Sequence, residues 1–363
     1  MLRFLTAGES HGPALAGILD GLPPGIAIDV SEINGQLARR QRVPGRGGRM
    51  LIEHDEVEIL SGLRQGKTLG SPLCLVIRNR DHENWQHVYG PGGSAEPVRR
   101  PRPGHADYPG MVKFGFDDAR NVIERASARE TAMRTALGTA ARQCLAGIGV
   151  RIYSRVLSLG PLTLCDLPET EDVWRQGQDK VLGFPEATLM HQAEELLGQA
   201  KAAGHSVGGT LGVVAFGLPV GIGSYTQADL RLDARLAADM ASIPAVRAVE
   251  FGRALALAES APGVPGDSLV VQDGKLSYRG NNNAGLAGGM STGQPLIVRC
   301  AVKPIPTAMP GLTVDLASGE AVSAVKERSD TTAVPAAAVV AEAVLALGLL
   351  REIIDSLGTG YFR

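Results

Sequence analysis

Aromatic side chains are scarce in this sequence: Phe, Trp and Tyr make up only 4% of its 363 residues. Proteins that hold single-stranded nucleic acid stack its bases on such rings, so that ligand class is disfavoured. Charge of one sign is lacking too. The net charge is −2, which excludes an overall basic coat, and no expected helix carries a basic stripe suited to a groove. The four cysteines, Cys74, Cys144, Cys165 and Cys300, are widely scattered and form no CxxC pair. They are expected to be buried thiols in a reduced, cytoplasmic compartment. Histidines at metal-ligand spacing, HExxH or HxxxH, are absent, so no metal site is expected. Neither a GxxxxGK[ST] phosphate loop nor a strand–GxGxxG–helix dinucleotide fingerprint occurs. The most apolar stretch, Pro335 to Leu350, carries Glu342 and falls short of the ~20 residues that span a bilayer. The N-terminal residues lack a long apolar segment. Neither a membrane span nor a signal peptide is expected.

What is present is an ordinary globular balance, with 44% apolar and 20% charged residues, and 46 glycines. The core must be built from Ala, Val, Leu and Ile, with many turns. Periodicity predicts strands from Ala14 towards Pro24, over 50–61, 73–78, 150–160, 211–218 and 296–302. It predicts helices over 31–40, 118–147, 186–203, 228–241 and 335–357. Residues 79–104, polar and rich in Pro and Gly, read as one long irregular segment. Short turns join neighbouring strands, and no repeat or linker breaks the chain. The expectation is a single α+β domain, 1–363, with mixed or antiparallel sheets.

Two histidines sit in glycine-flanked loops: Gly8-Glu9-Ser10-His11-Gly12, and Arg102-Pro103-Gly104-His105-Ala106-Asp107. A lone loop histidine is most often a hydrogen-bonded structural one. Arginine clusters change the balance. Five arginines (39, 40, 42, 46 and 49) occupy a Pro/Gly-rich stretch with few acidic neighbours. Arg99, Arg100 and Arg102 precede His105, Arg125 and Arg129 share a predicted helical face, and Arg328 precedes Asp330. Arginine's planar fork matches phosphate and carboxylate oxygens. Together these residues point to acid/base chemistry on a small polyanion. A polyanion- or RNA-binding module without catalysis is the rival reading. The reaction itself does not follow from these features.

At the same residues the sequence resembles the chorismate synthase family. Its signatures are seen as Gly8 to Gly12 followed by Leu15 to Pro23, as Arg102 to Asp107, as Arg125 to Ala132, as Met290 to Gln294, and as Arg328-Ser329-Asp330. They occur in the family's order across nearly the whole chain. The resemblance implies a β-α-β sandwich, with long helices between antiparallel sheets, assembled as a homotetramer. It implies trans-1,4-elimination of phosphate from 5-enolpyruvylshikimate 3-phosphate to give chorismate, a step of the shikimate pathway, requiring reduced FMN although no net redox occurs. NADPH enters only as an indirect source of reducing equivalents, and a separate flavin reductase is a possible partner.

Carried onto this chain, His11 would protonate the leaving phosphate. His105 would protonate or stabilise the reduced flavin, and Asp330 would act with the flavin on the ring proton. Ser10, Arg40, Arg46, Arg49, Arg102, Ser127, Arg129 and Arg328 match substrate positions; Arg40 and Arg46 also match positions sometimes assigned to NADP. Flavin positions are Arg125, Ala126, Ser127, Pro244, Ala245, Gly288, Lys303, Pro304, Ile305, Pro306, Thr307 and Arg328. Ala126 stands where many members have serine, so it is carried as a backbone contact only. A member that keeps flavin binding but has lost activity remains a third reading.

Overall fold

A computed structural model describes residues 1–42, 54–90, 92–164, 166, 170–178, 187–261, 266–272, 274–306, 311–324 and 330–362. Two antiparallel sheets enclose a layer of helices. The first sheet contains β1 (Arg3–Ala7), β2 (Ala14–Asp20), β3 (Val57–Ser61) and β4 (Leu73–Arg78), in the order β1-β2-β4-β3. The second contains β5 (Arg151–Leu159), β6 (Leu162–Thr163), β7 (Gly209–Phe216), β8 (Val246–Phe251) and β9 (Leu296–Val302), in the order β8-β9-β7-β5-β6. This is the α+β sandwich expected from the sequence.

Among the described residues, the α-helices of seven residues or more are α1 (Val30–Arg42), α2 (His82–Tyr89), α3 (Asp107–Phe114), α4 (Arg120–Ala126), α5 (Thr131–Ala146), α6 (Ala187–Ala202), α7 (Leu232–Ala241) and α8 (Val334–Leu357). Helix α5 packs on β2 and β4, while α8 packs on β5 and β7, and the two helices lie against each other. Close approach needs a small residue at their crossing. A Cβ added at Gly138 would stand 2.4 Å from the Ala343 Cβ, so any side chain there forces α5 and α8 apart. Helix α8 starts with Pro335 in its first turn and is buried almost all round, as a central helix must be. Its one acidic interruption, Glu342, accepts from Arg39, Arg142 and Ser154, and burial of that carboxylate is tolerated because it is paired. Helix α1 begins at Asp29, whose carboxylate caps it by accepting from the Ser31 N–H at 2.8 Å.

Three expectations need correction. Residues 79–104 are not irregular throughout, because α2 lies inside them. Its polar residues gave no apolar stripe, and Trp85 and Tyr89, one turn apart, carry its contacts. The predicted single helix over 118–147 is two. Ser127 is extended (ψ 141°) and its hydroxyl accepts from the Arg129 N–H, so the chain leaves α4 and re-enters through a 3-10 turn. Arg125 and Arg129 therefore do not share a face. The basic stretch expected as a loop from Arg39 is helical to Arg42, since its proline and glycines come only later; residues 43–53 lie outside the described part. Among the described residues, no helix is long and apolar enough to cross a membrane. Cys144 and Cys300 are buried and Cys74 is half-buried; Cys165 is outside the described residues.

Candidate active site

The first histidine loop is the hairpin connection between β1 and β2, which pair from Arg3 with Asp20 to Ala7 with Ala16. Six residues, 8–13, make the turn. Gly8 takes φ +108°, and a Cβ there would meet the Ala14 carbonyl oxygen at 2.4 Å; only glycine fits. Asn79, the first residue after β4, ties the loop down. Its amide donates to the Glu9 and Gly12 carbonyls at 3.1 and 2.7 Å. The Ser10 N–H donates to the Glu124 carbonyl at 3.0 Å, fastening the loop to α4.

His11 is held on several sides. Its main-chain N–H donates to Glu124 Oε2 at 2.7 Å, and its Nδ1 lies 2.8 Å from Glu124 Oε1. The Tyr89 hydroxyl donates to the same Oε1 at 2.9 Å. Trp85 lies 4.3 Å from the imidazole between ring centres, and Tyr89 lies nearly parallel to it at 6.0 Å. His82 Nδ1 is 2.8 Å from the His11 carbonyl oxygen. Burial pushes the Glu124 carboxyl up, but the hydrogen bonds from His11 and Tyr89 outweigh it, and the group ends below the usual carboxylate value. Burial and the adjacent Glu124 charge raise the Tyr89 hydroxyl, so it stays protonated and donates.

Behind this loop lies a buried polar knot. Arg129 donates to both oxygens of Asp55, at 2.6 and 2.7 Å, and to Asn79 Oδ1 at 3.0 Å. Arg40 on α1 donates to Thr131 and to the Ala128 carbonyl, and its Nη1 is 3.7 Å from Asp55. Asp55 thus faces two guanidinium groups. Arg39 and Arg40, which have few acidic neighbours in the sequence, find carboxylates across the fold in Glu342 and Asp55.

The second histidine loop precedes α3. Asp107, fully buried, accepts from Arg102 Nε, Nη2 and N–H at 2.8 to 3.0 Å. His105 Nδ1 is 3.2 Å from the Pro103 carbonyl, which places that nitrogen's hydrogen towards the backbone. Lys303 donates to the Gly104 carbonyl at 2.9 Å. Burial pushes the His105 imidazolium down; the Pro103 carbonyl and Asp107 oppose this, while Arg102 and Lys303 add to it, and the net shift is downward.

Both histidines open on one cavity of about 700 Å³. Ser10, Arg40, Arg102, Ala126, Ser127, Pro244, Ala245, Lys303, Ile305, Pro306 and Asp330 also line it, so segments more than 300 residues apart in the chain meet here. Its lining joins the apolar side chains of Ile243, Val246, Ala337 and Val340 to the cations Arg40, Arg102, Arg247 and Lys303. Ala245 adopts φ +70°, uncommon for a residue with a side chain and frequent at functional sites. Such a shape suits a ligand with flat apolar and anionic parts. Among the described residues no group of His, Cys, Asp and Glu could hold a metal ion.

A family model described as chorismate synthase matches residues 2–354. The chain belongs to the chorismate synthase family. It is 47% identical to the chorismate synthase of Sulfurihydrogenibium sp. (strain YO3AOP1), covering 99% of this chain and 95% of the relative. It is 48% identical to that of Desulforudis audaxviator (strain MP104C), covering 99% and 94%. A solved structure titled as a crystal structure of chorismate synthase superposes with a TM-score of 0.79 at 36% identity, covering 98% of this chain and 93% of that one.

Not every position carried over from the chorismate synthase resemblance reaches the cavity. Arg129 lies behind its wall in the Asp55 knot. Arg125 donates to the Thr6 carbonyl and hydroxyl and does not line the cavity. Pro304 lines a shallower depression beside it, with Pro103 and His205. Gly288 lies in a separate depression with Arg231 and Phe251. Arg46, Arg49, Thr307 and Arg328 fall outside the described residues. Sequence reasoning missed Glu124, Tyr89, Asn79, Asp55 and Arg247. Glu124, Tyr89, Asn79 and Asp55 have partners elsewhere in the chain, and Arg247 is a lone cation on β8, so no local pattern marked them.

Proposed function

We propose that the chain catalyses trans-1,4-elimination of phosphate from 5-enolpyruvylshikimate 3-phosphate, giving chorismate, as a carbon–oxygen lyase that depends on reduced FMN without net redox. The observation that carries this reading is the meeting of His11, His105 and Asp330 on one cavity that Arg40, Arg102, Arg247 and Lys303 also line. The substrate brings one phosphate and two carboxylates, and the cations offset that charge. The same cavity suits a flavin. Small side chains at Ala106, Ala126, Ala128, Ala245, Ala333 and Ala336 leave room for a flat ring beside the apolar lining residues. Lys303, Ile305 and Pro306 stand beside Pro244 and Ala245, and the Lys303 N–H donates to the Ala245 carbonyl. Reduced FMN, if bound there, would supply the electron that C–O cleavage needs, with no net redox.

The chain's own residues then have separate tasks. His11 delivers a proton to the departing phosphate, and Arg40 and Arg102 hold the anionic groups in place. His105, kept largely neutral at neutral pH by its surroundings, is suited to act next to the flavin. Asp330 is the carboxylate on the cavity wall able to take part in removing the ring proton. The assembly is a cytoplasmic homotetramer supplied with reduced FMN by a separate reductase, NADPH being an indirect electron source. The test is anaerobic incubation of the protein with the substrate and reduced FMN. Phosphate and chorismate appearing one to one are expected; a folded protein that releases neither overturns the reading.

A further inference from the structure

Glu124 is a buried carboxylate, 5% exposed, that the proposed elimination does not use. It stands behind His11 and does not line the cavity. Three donors converge on it: the His11 main-chain N–H on Oε2, and the Tyr89 hydroxyl with His11 Nδ1 on Oε1. A main-chain N–H can only donate, and an ionised carboxylate can only accept. The 2.8 Å contact at Nδ1 therefore needs its hydrogen on the imidazole.

We infer that Glu124 is a positioning residue that fixes a proton on His11 Nδ1 and, with Tyr89, turns the opposite ring edge, Nε2, towards the substrate. The role given to Nε2 rests on the proposed lyase reading; the proton's place on Nδ1 does not. Ring rotation is limited by Trp85 and Tyr89, which pack against the imidazole and stand 6.0 Å from each other between ring centres. His82 holds the His11 carbonyl. Across the cavity the charged and titratable groups are Arg40, Arg102, Arg247, Lys303, His105 and Asp330. Among all these, Glu124 is the carboxylate bonded to the ring. The arrangement is that of a proton-transfer histidine oriented by a carboxylate behind it, which sets both tautomer and direction.

Glutamine cannot serve the same donors. Its amide offers one acceptor oxygen and one donor nitrogen where Oε1 and Oε2 each receive a hydrogen. The main-chain N–H cannot accept, so the amide oxygen takes its side and the N–H₂ faces Nδ1, which becomes an acceptor by moving its proton to Nε2. A purely structural anchor, tying the loop to α4, would leave the tautomer unchanged.

The experiment is NMR of the full chain with 15N-labelled histidine, the His11 signals being assigned by their loss in His11→Ala. The wild-type neutral ring is expected to carry its proton on Nδ1, with Nε2 bare. Glu124→Gln is expected to move the proton to Nε2, to lower kcat by roughly 10–100-fold with little change in KM, and to alter the pH profile. Glu124→Asp keeps an ionised carboxylate and is expected to keep the proton on Nδ1 and restore the profile in part. A wild-type ring protonated on Nε2 overturns the inference, and needs no variant to fold. A Glu124→Gln ring with the wild-type tautomer overturns it as well. If the tautomer depends on Glu124 but the wild type releases no phosphate with reduced FMN, the lyase reading fails and the positioning role stands.

Discussion

His11 and His105 open on the same cavity, yet their neighbours are opposite in kind. Against His11 stands an ionised carboxylate, Glu124, in direct hydrogen bond at 2.8 Å. Against His105 stand two cations, Arg102 and Lys303, and its ring nitrogen meets only a main-chain carbonyl. Asp107, the carboxylate near it, is taken up by three hydrogen bonds from Arg102. Cations and burial favour the neutral imidazole at His105. One cavity therefore holds one imidazole bonded to a carboxylate and another set among cations, because separate parts of the chain shape each environment.

The largest expected effect is loss of the acid. His11→Ala should lower anaerobic turnover by roughly 10²–10⁴-fold, with the circular dichroism of the wild type retained. Wild-type turnover in that variant would remove the role assigned to His11. Next is Asp107→Ala, which strips the buried carboxylate from Arg102. We expect roughly 3–5 kcal/mol of lost stability, read as a lower denaturant midpoint; an unchanged midpoint would show that Asp107 does not anchor the second loop.

A smaller effect concerns pH. Folding lowers the His105 value, so the unfolded chain binds its proton more readily. The stability this group contributes is present above about pH 6.5 and is lost as the pH falls through the range between the unfolded and folded values. His105→Gln should flatten that part of the stability–pH curve, measured by urea unfolding between pH 7.5 and 5. The same slope in both proteins would contradict the assignment. The smallest effect is expected from Lys303→Met. Removing this cation should move the His105 titration upward, seen by NMR, and a downward movement would reverse the electrostatic account.

Much of the frame was legible because apolar periodicity is a local signal. The strand 296–302 and the helices near 31, 187 and 334 follow from it, as does the burial of α8 despite Glu342. The break at Ser127 was not legible. Residues 125–132 contain good helix formers, and the interruption is set by Ser127 capping the Arg129 N–H and by the Ser10 hydroxyl 3.2 Å away across the fold. The histidine loops stood out through their glycines. Glu124 did not, since its partner His11 is 113 positions away. Asp55 was hidden in the same way, 74 positions from Arg129. Arg129 itself shows the limit of reading arginines as anion anchors: its guanidinium is held by Asp55 and Asn79 behind the cavity wall.

The division between the two histidines is tested most directly by a 1H–15N titration of the wild-type protein with both rings assigned. The account expects the neutral forms of both to carry the hydrogen on Nδ1, towards Glu124 in one and the Pro103 carbonyl in the other, with His105 taking up its second proton below the ordinary value of about 6.5. A His105 that protonates at or above that value, or a His11 that carries its hydrogen on Nε2, would contradict it.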